Sequence, residues 1–268
     1  MMRCAVLGSP IAHSLSPRLH RAAYEFLGVV GTYEALEMPE ADFPRFFAHA
    51  HHEGWTGFSL TMPLKERVNT EGIDIDLTAR RINSVNTLFR RNDNWLGTST
   101  DFLAFRRIFA TISYSSVCVL GGGATARAAI AALDGTVETI AVALRNPAKF
   151  ELLRESALTS KLALRPFNPD LNNFDLVVST VPAGASDVLS TALAKTQGTF
   201  FDVLYNPWPT QIAGEWHRLG GHVINGLDLL VEQALDQISL MSEREFDLTV
   251  MRKVLNQAIE VERGRTAF

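Results

Sequence analysis

Short apolar runs alternate with segments of helical periodicity through most of the chain. The first hundred residues contain the runs "RCAVLG", "TYEALEM" and "WTGFSLT", with amphipathic stretches such as "RLHRAAYEFLG" between them. A second series begins at "SVCVLGGG" and continues through "TIAVAL", "FDLVVS" and "GTFFDVL". Strands that alternate with helices predict mostly parallel sheets covered by helices. From about residue 234 onward the pattern is helical, with no strand.

The restart of this pattern near residue 102 predicts two α/β domains. We assign residues 1–101 to the first domain, with a mostly parallel sheet, and residues 102–236 to the second. The chain has 268 residues, of which 47% are hydrophobic, and this length and composition are typical of a globular protein with two cores.

Charge and composition exclude several classes of partner. The net charge is -4 and the basic residues are scattered, so we expect no nucleic-acid partner. The apolar stretches are shorter than the roughly 20 residues that cross a bilayer, and the start does not read as a signal peptide. We therefore expect no membrane partner and a cytoplasmic location. The two cysteines, Cys4 and Cys118, predict neither a disulfide framework nor a cysteine-based metal site, and we expect no bound metal.

The glycine-rich segment "VCVLGGGATARAAIAAL" predicts a dinucleotide site. Gly121 and Gly123 follow an apolar strand and open a helix, and Ala126 occupies the third small position of the fingerprint. Free N–H groups at such a helix start face an anion. The alternative is a glycine-rich turn with no ligand. The predicted contacts along this segment are Gly121, Gly122, Gly123, Ala124 and Thr125.

The end of the next strand, "TIAVAL", predicts which dinucleotide binds. An NAD site places Asp or Glu there, to accept from the ribose 2′-hydroxyl. This chain has Leu144, Arg145, Asn146 and, a turn later, Lys149. A cation at this point suits a 2′-phosphate, so NADP (NADPH) is favoured over NAD, with Arg145, Asn146 and Lys149 expected in contact. The alternative for Arg145 is a solvated surface residue.

The opening stretch "GSPIAHSLSP", residues 8–17, carries two serines at alternate positions. Either Ser14 or Ser16 is suited to cap the helix that follows, because a cap hydroxyl satisfies an orphan N–H. If the stretch is extended, both hydroxyls point the same way and are placed to hold a polyol or a carboxylate together.

Three further polar segments follow strand-like runs: "SLTMPLKE" at 59–66, "NSVNTL" at 83–88 and "GTSTD" at 97–101. Loops at strand ends carry function in open α/β sheets. A lysine held near a carboxylate exchanges a proton with a hydroxyl under oxidation, which makes Lys65 and Asp101 a candidate catalytic pair. The alternatives are a surface lysine and a helix cap.

With these motifs in view, the chain resembles the shikimate dehydrogenase family nearly from end to end. The family opening matches residues 8–17 without a break. Further family motifs, in the same order, match Thr61-x-Pro63-x-Lys65, Val85-Asn86-Thr87, Thr100-Asp101, the glycine-rich loop, "STVPAG" at 179–184, Tyr205 in "DVLYNPWPT", and Gly226 to Gln233 in "GLDLLVEQA".

The resemblance implies roles for these residues. Ser14 and Ser16 are expected to hold the substrate carboxylate, and Lys65 to be the acid–base residue with Asp101 as its partner. Contacts to the ring hydroxyls or acid group are expected from Thr61, Asn86, Asp101, Tyr205 and Gln233. The nicotinamide is expected near Gly226, and Thr180 and Val203 complete the expected cofactor contacts. The second domain is then a Rossmann-type NADP-binding domain, and the helical tail, residues 237–268, packs back on the first.

The implied activity is the reversible NADP-dependent reduction of 3-dehydroshikimate to shikimate in aromatic amino acid (chorismate) biosynthesis, with a small-molecule substrate and a monomeric or homodimeric protein. One alternative is an NAD-dependent quinate/shikimate dehydrogenase. Another, of a different class, is a nucleotide-binding regulator without turnover. The chain departs from the family at Arg21, Ser59 and Ser99, where Asn is usual, and at Leu144 and Asn146 of the usual Asn-Arg-Thr.

Overall fold

The computed structural model describes residues 1–68 and 72–266, which form two compact units. The first unit comprises Met1–Thr100 and Leu230–Val261. The second comprises Asp101–Leu229 together with residues 262–266. The boundaries expected from the sequence, 101/102 and 236/237, remain predictions about the functional domains.

The first unit is built on a mixed six-stranded sheet in the order β2-β1-β3-β5-β6-β4. Its strands are β1 (Met2–Gly8), β2 (Gly31–Glu37), β3 (Gly57–Leu60), β4 (Ile73–Ile75), β5 (Thr87–Arg91) and β6 (Asn94–Thr98). Strand β1 is parallel to both β2 and β3, whereas β5 is antiparallel to β3 and β6. The helices of this part are α1 (Ser16–Leu27), α2 (Phe43–Ala50) and α3 (Leu77–Arg81), with a 3-10 helix at Leu64–Glu66.

The core of this unit is rich in aromatic side chains. Trp55 and Phe58 are almost completely buried, and the ring of Phe58 stacks on Trp95 with centroids 5.3 Å apart. Burial of large aromatic side chains contributes most of the apolar stabilisation in a core of this kind. The sheet therefore offers a rigid support for the polar loops at its edge.

The second unit contains a six-stranded sheet that is parallel throughout, in the order β12-β11-β10-β7-β8-β9. Its strands are β7 (Val117–Leu120), β8 (Thr139–Leu144), β9 (Lys161–Pro166), β10 (Leu176–Ser179), β11 (Thr199–Asp202) and β12 (His222–Ile224). The order matches that of doubly wound nucleotide-binding folds, in which the chain reverses direction between the two central strands. The predicted Rossmann-type fold class is therefore confirmed.

Helices cover this sheet. They are α4 (Thr100–Phe109), α5 (Ala124–Leu133), α6 (Asp187–Ser190) and α7 (Gln211–Arg218), with a 3-10 helix at Pro147–Ser156. Helix α5 is largely alanine, and most of its residues are buried. Small side chains allow a helix to pack close to the strands.

The predicted helical tail consists of α8 (Gly226–Ser242), α9 (Leu248–Ala258) and α10 (Glu260–Thr266). Helix α9 packs against α1 in the first unit. The tail belongs to the first unit as far as Val261, whereas residues 262–266 group with the second, where Arg263 forms an ion pair with Asp228 at 3.0 Å and the Trp208 indole N–H donates to the Thr266 carbonyl. Residues 267 and 268 lie outside the described residues. Across the described chain, each helix is too short or too polar to cross a membrane.

Candidate active site

The polar segments of the first unit converge on one edge of its sheet. Strands β1 and β3 are parallel neighbours and end there at Gly8 and Leu60. Because β5 is antiparallel to β3, it begins at this same edge, and β6 ends there. The expectation that "NSVNTL" follows a strand is wrong, since Asn86 directly precedes β5. The antiparallel strand nevertheless brings Asn86 to the edge where the other segments lie.

Close backbone contact joins the opening stretch to the segment that contains Lys65. The Thr61 N–H donates to the Leu7 carbonyl and the Ser9 N–H donates to the Met62 carbonyl, both at 2.9 Å. A Cβ on Gly8 would lie 2.3 Å from Thr61 Cγ2 and 2.8 Å from the Met62 oxygen. Only glycine fits there, so Gly8 permits the approach of these two candidate loops.

Glu37, at the end of β2, holds the opening stretch from the other side. Its carboxylate accepts from the Ser9 hydroxyl and, at 3.0 Å, from the Ile11 N–H. The sequence motifs did not point to this residue. A carboxylate at a strand end opposite a Gly-Ser-Pro turn is the signal that points to it, because turn N–H groups need acceptors.

The two serines do not have the geometry expected from the sequence. Helix α1, all of whose residues the structure describes, has Leu15 at its N-cap and no side-chain cap from that residue, so neither serine occupies the cap position, although the Ser14 hydroxyl accepts from the N–H of the first helical residue. The extended geometry is wrong as well, because Ser14 closes a turn on the Ile11 carbonyl and Ser16 is the first helical residue. The Ser16 N–H lies 3.3 Å from the Ser14 hydroxyl oxygen, so a turn brings the two residues together. Their contact with a carboxylate remains a prediction.

Lys65 and Asp101 lie in different units. Lys65 is half-buried in the 3-10 helix, and its carbonyl accepts from the Val85 N–H at 2.9 Å. Asp101 is buried in the first turn of α4, which begins at Thr100, so it does not occupy the cap position proposed as its alternative. A carboxylate in the first turn interacts favourably with the helix dipole. The pairing of Lys65 with Asp101 stays a prediction.

Asn86 and Gln233 are brought together by a buried hydrogen-bond network. The Asn86 side-chain oxygen accepts from the Thr100 N–H at 2.6 Å, and its nitrogen donates to Gln233 Oε1 at 3.0 Å. Gln237, one turn along α8, donates to the same Gln233 oxygen at 2.8 Å. Gln237 was not among the predicted site residues, although side chains four residues apart on a helix are neighbours.

In the second unit, Gly121 holds the end of β7 against the end of β10. Its φ of +114° lies in the region that favours glycine, and a Cβ would lie 2.4 Å from the Thr180 hydroxyl oxygen. That hydroxyl donates to the Leu120 carbonyl at 2.9 Å. Gly123 is the N-cap of α5, so Ala124 and Thr125 form its first turn. The backbone N–H groups at this helix start suit an anion such as a pyrophosphate.

Gly122, the middle glycine of the loop, packs against the segment that is predicted to contact the adenosine ribose and its 2′-phosphate. A Cβ on Gly122 would lie 3.0 Å from Leu144 Cδ2 and 3.6 Å from Lys149 Cβ. Asn146 accepts from the Ala148 N–H and starts the 3-10 helix, and Arg145 is exposed beside the ring of Phe167. The structure therefore places Lys149 beside the glycine loop and Arg145 at the end of β8, whereas their contact with a 2′-phosphate stays a prediction.

A third close approach involves Gly226 and the end of β11. The Gly226 N–H donates to the Leu204 carbonyl at 2.9 Å, and a Cβ there would lie 2.1 Å from the Val203 oxygen. Val203 and Gly226, both predicted cofactor contacts, are therefore neighbours. Tyr205 follows on the same loop and is half-buried.

Asp202 holds both ends of the loop at residues 203–210. It is fully buried, and it accepts from the Leu204 N–H at 3.2 Å and from the Thr210 hydroxyl at 2.9 Å. Burial raises the pKa of Asp202 to about 6, and these two hydrogen bonds offset the rise only in part. Thr210 also caps α7 through the Ala213 N–H. Neither Asp202 nor Thr210 was among the predicted site residues.

Metal-binding side chains are not clustered in the part of the chain that the structure describes. Among residues 1–68 and 72–266, no three His, Cys, Asp or Glu side chains are grouped so that they could hold an ion.

Comparisons with known proteins agree with this geometry. Residues 6–88 match the family model of the shikimate dehydrogenase substrate binding domain. Shikimate dehydrogenase (NADP(+)) of Staphylococcus epidermidis is 30% identical over 270 residues, which cover 97% of this chain and all of that protein.

Solved structures agree over the same length. Mycobacterium tuberculosis shikimate dehydrogenase is 31% identical with a TM-score of 0.81, over 96% of this chain and 99% of that one. A shikimate 5-dehydrogenase from Thermus thermophilus, in complex with NADP(H) and shikimate, is 28% identical with a TM-score of 0.82, over 96% and 100%. Because sequence and fold agree across nearly the whole length, the chain belongs to the shikimate dehydrogenase family.

Proposed function

We propose that the chain catalyses the reversible NADP-dependent reduction of 3-dehydroshikimate to shikimate, a step of chorismate and aromatic amino acid biosynthesis. The observation that carries this proposal is the full-length similarity to NADP(+)-dependent shikimate dehydrogenases, together with the donor-rich edge of the first sheet. The enzyme is then an oxidoreductase that acts on a CH–OH group.

The second unit supplies a cradle that fits the dinucleotide. At Gly121 and Gly226 a Cβ would lie within 2.4 Å of Thr180 Oγ1 and of the Val203 oxygen, so glycine lets the segments that carry the predicted cofactor contacts pack together, and the start of α5 offers its N–H groups to an anion. When bound, NADPH supplies the hydride that reduces the carbonyl. The residues proposed to hold the dinucleotide are Gly121, Gly122, Gly123, Ala124, Thr125, Arg145, Asn146, Lys149, Thr180, Val203 and Gly226.

The first unit supplies most of the groups for the cyclic acid. Ser14 and Ser16 are proposed to bind its carboxylate, and Thr61, Asn86 and Gln233 its hydroxyl groups. Tyr205 and Asp101, from the second unit, are proposed to add further contacts. Apart from the Asp101 carboxylate these are hydroxyl and amide groups, which discriminate strongly against analogues that lack a hydroxyl, because a buried polar group would lose its partner.

Proton transfer is assigned to Lys65. In the direction of reduction its ammonium group donates a proton to the oxygen that becomes the hydroxyl, and in oxidation the amine takes that proton back. Asp101 is proposed to orient the amine and to accept a hydrogen bond from the substrate. The lysine's half-buried position on a short 3-10 helix, fixed by the Val85 N–H, supports this role.

The test is a spectrophotometric assay of the purified protein with shikimate or quinate, each with NADP or NAD. We expect NADP reduction with shikimate to have the highest kcat/KM. Faster turnover of quinate with NAD would favour the NAD-dependent alternative. Nucleotide binding without turnover of either acid would indicate a regulator. The cytoplasmic location and the monomeric or homodimeric state stay predictions.

A further inference from the structure

A chain of buried, uncharged side chains lies behind Gln233 in the first unit. His20, Tyr33 and Gln237 have no exposed surface, and Ser59 and Tyr24 are 3% exposed. The imidazole of His20 stacks on the ring of Tyr33 with centroids 3.8 Å apart. The proposed mechanism gives these five residues no role, although buried polar networks of this kind specify one arrangement when every group is satisfied.

The direction of these hydrogen bonds is fixed from the Asn86 end. Asn86 Oδ1 accepts from the Thr100 backbone N–H, so the Asn86 nitrogen donates to Gln233 Oε1, and the Gln237 nitrogen then donates to the same oxygen. The Tyr33 hydroxyl donates to Ser59 at 2.6 Å, and Ser59 in turn donates to Gln237 Oε1 at 2.8 Å. Burial lowers the pKa of His20 to about 3, so the ring is neutral near pH 7 and has one N–H. Because an amide oxygen only accepts, that N–H is on Nε2, 3.3 Å from Gln237 Oε1.

The rest of the imidazole agrees with this tautomer. With the proton on Nε2, the Nδ1 atom of His20 is an acceptor, and the Tyr24 hydroxyl lies 3.4 Å from it. Gln237 Oε1 therefore accepts two hydrogen bonds, from His20 and from Ser59, and these occupy both of its lone pairs. This agrees with the orientation of the Gln237 amide that Asn86 and Gln233 impose.

That orientation turns the Gln237 nitrogen toward Gln233. One N–H donates to Gln233 Oε1 at 2.8 Å, and the threonine hydroxyls of residues 87 and 100 lie 3.2 and 3.3 Å from the same nitrogen. Gln233 Oε1 also accepts from Asn86, so both of its lone pairs are used. The group that Gln233 has left to offer a ligand is its NH2, which makes one long contact of 3.5 Å to the Leu230 carbonyl.

We propose that Gln237 is a positioning residue that fixes Gln233 as a hydrogen-bond donor to the substrate, and that His20, Ser59 and Tyr33 hold Gln237 in this orientation. The inference rests on the proposed function, and it specifies the chemistry of that subsite. The subsite accepts an oxygen with available lone pairs, as in a hydroxyl or a carboxylate, and it disfavours an ammonium group at the same point.

Two departures from the family support a role particular to this chain. Arg21 donates from Nε and from a terminal nitrogen to the Tyr33 carbonyl, at 3.1 and 2.9 Å, and Ser59 takes the Tyr33 hydroxyl. Both substituted residues therefore form hydrogen bonds with Tyr33. The Tyr33 hydroxyl is the first donor in the series of hydrogen bonds that ends at Gln233.

The test compares Gln237→Met, Ser59→Ala and Ser59→Thr with the parent, and uses Gln257→Met as the matched control because Gln257 is exposed on α9 of the same unit. We expect Gln237→Met to raise the KM for shikimate about tenfold, the effect of roughly one hydrogen bond, with kcat and the KM for NADP nearly unchanged. Ser59→Ala should raise it less, and Ser59→Thr should restore the parent value because it keeps the hydroxyl.

An unchanged shikimate KM in both Gln237→Met and Ser59→Ala would overturn the inference. Losses in kcat and in NADP affinity as large as the rise in the shikimate KM would overturn it as well. If Gln237→Met does not fold, the two Ser59 variants decide. If the parent turns over no shikimate, the proposed function fails, and side-chain amide NMR then decides the inference. In that case a fixed Gln237 gives a slowly exchanging NH2 pair in the parent and faster exchange in Ser59→Ala, whereas equal exchange rates contradict the proposal.

Discussion

The two units prepare their candidate sites by opposite means. In the first unit, side chains such as Asn86 and Gln233 are oriented by buried hydrogen bonds to other side chains. In the second, Gly121 and Gly226 leave bare backbone where a Cβ would collide with neighbouring atoms. The first site therefore depends on which side chain is present, and the second depends on the absence of one. Substitutions should separate these two modes.

Lys65→Met should have the largest effect, because it removes a reacting group from the candidate site of the first unit and keeps most of the apolar stem of the lysine. General acid–base groups typically contribute about 10² to 10⁴-fold in rate, so kcat should fall by that order. NADP affinity, measured by fluorescence titration, should be unchanged. Lys253→Met, an exposed lysine on α9, is the control and should behave like the parent. Turnover of Lys65→Met within a few fold of the parent would exclude the assigned role.

Asp202 tests whether the second unit also depends on a buried side chain. Since burial raises its pKa to about 6, from about 3.9 in an unfolded chain, the folded protein holds this proton more tightly. This contribution to stability is therefore fully present below about pH 4 and is lost as the pH rises through about 6, by up to roughly 3 kcal/mol.

In Asp202→Asn this loss is absent. Urea titrations between about pH 4 and pH 7 should show the free energy of unfolding of the parent falling relative to that of the variant. Parallel pH dependence in the two proteins would show that Asp202 has an ordinary pKa in the folded state.

Arg145→Ala sharpens the comparison, because it tests whether a side chain contributes to nucleotide binding in the second unit, in addition to the backbone around Gly121 and Gly226. A guanidinium that binds a 2′-phosphate contributes roughly 1.5 to 3 kcal/mol, so the KM for NADP should rise about tenfold or more while that for NAD stays nearly constant. Arg154→Ala is the control, since its guanidinium pairs with Glu151 at 2.8 Å. Equal changes with both nucleotides would mean that Arg145 does not read the phosphate.

Gly226→Ala tests directly whether the candidate site of the second unit depends on the absence of a side chain. The added Cβ would lie 2.1 Å from the Val203 oxygen, and such overpacking costs roughly 1 to 3 kcal/mol. We expect a lower Tm and weaker NADP binding. Gly214→Ala, within α7, is matched to it because its Cβ meets no atom within 4 Å, and it should stabilise the helix by up to about 1 kcal/mol. Indistinguishable Tm values and NADP affinities would contradict the close approach at Gly226.

The sequence predicted what is encoded locally. The alternation of strands and helices and the glycine fingerprint at Gly121 are periodic or contiguous signals, and the structure confirms the elements that they predict. The side-chain network escaped prediction because its partners are far apart in the chain: Asn86 and Gln233 are 147 residues apart, and His20 and Gln237 are 217. Hydrophobic periodicity carries no information on which polar side chains meet across such separations.

The errors have a similar origin. Ser16 was a candidate cap because the residue type suits the position, but the structure begins α1 one residue too early for it to do so. Asn86 was placed after a strand because a run of alternating strands and helices does not reveal that β5 is antiparallel. Both errors concern geometry that depends on the neighbouring strands.

The division of the chain between the units has a consequence for biosynthesis. The first unit needs Leu230–Val261 as well as Met1–Thr100, so its sheet emerges from the ribosome long before the helix that carries Gln233 and Gln237. Domains that are continuous in sequence fold as they emerge, whereas this one has to await a distant segment. The last segment added to the first unit therefore contains the residues that complete its polar network. A nascent chain arrested before residue 230 would hold Asn86 without its glutamine partner.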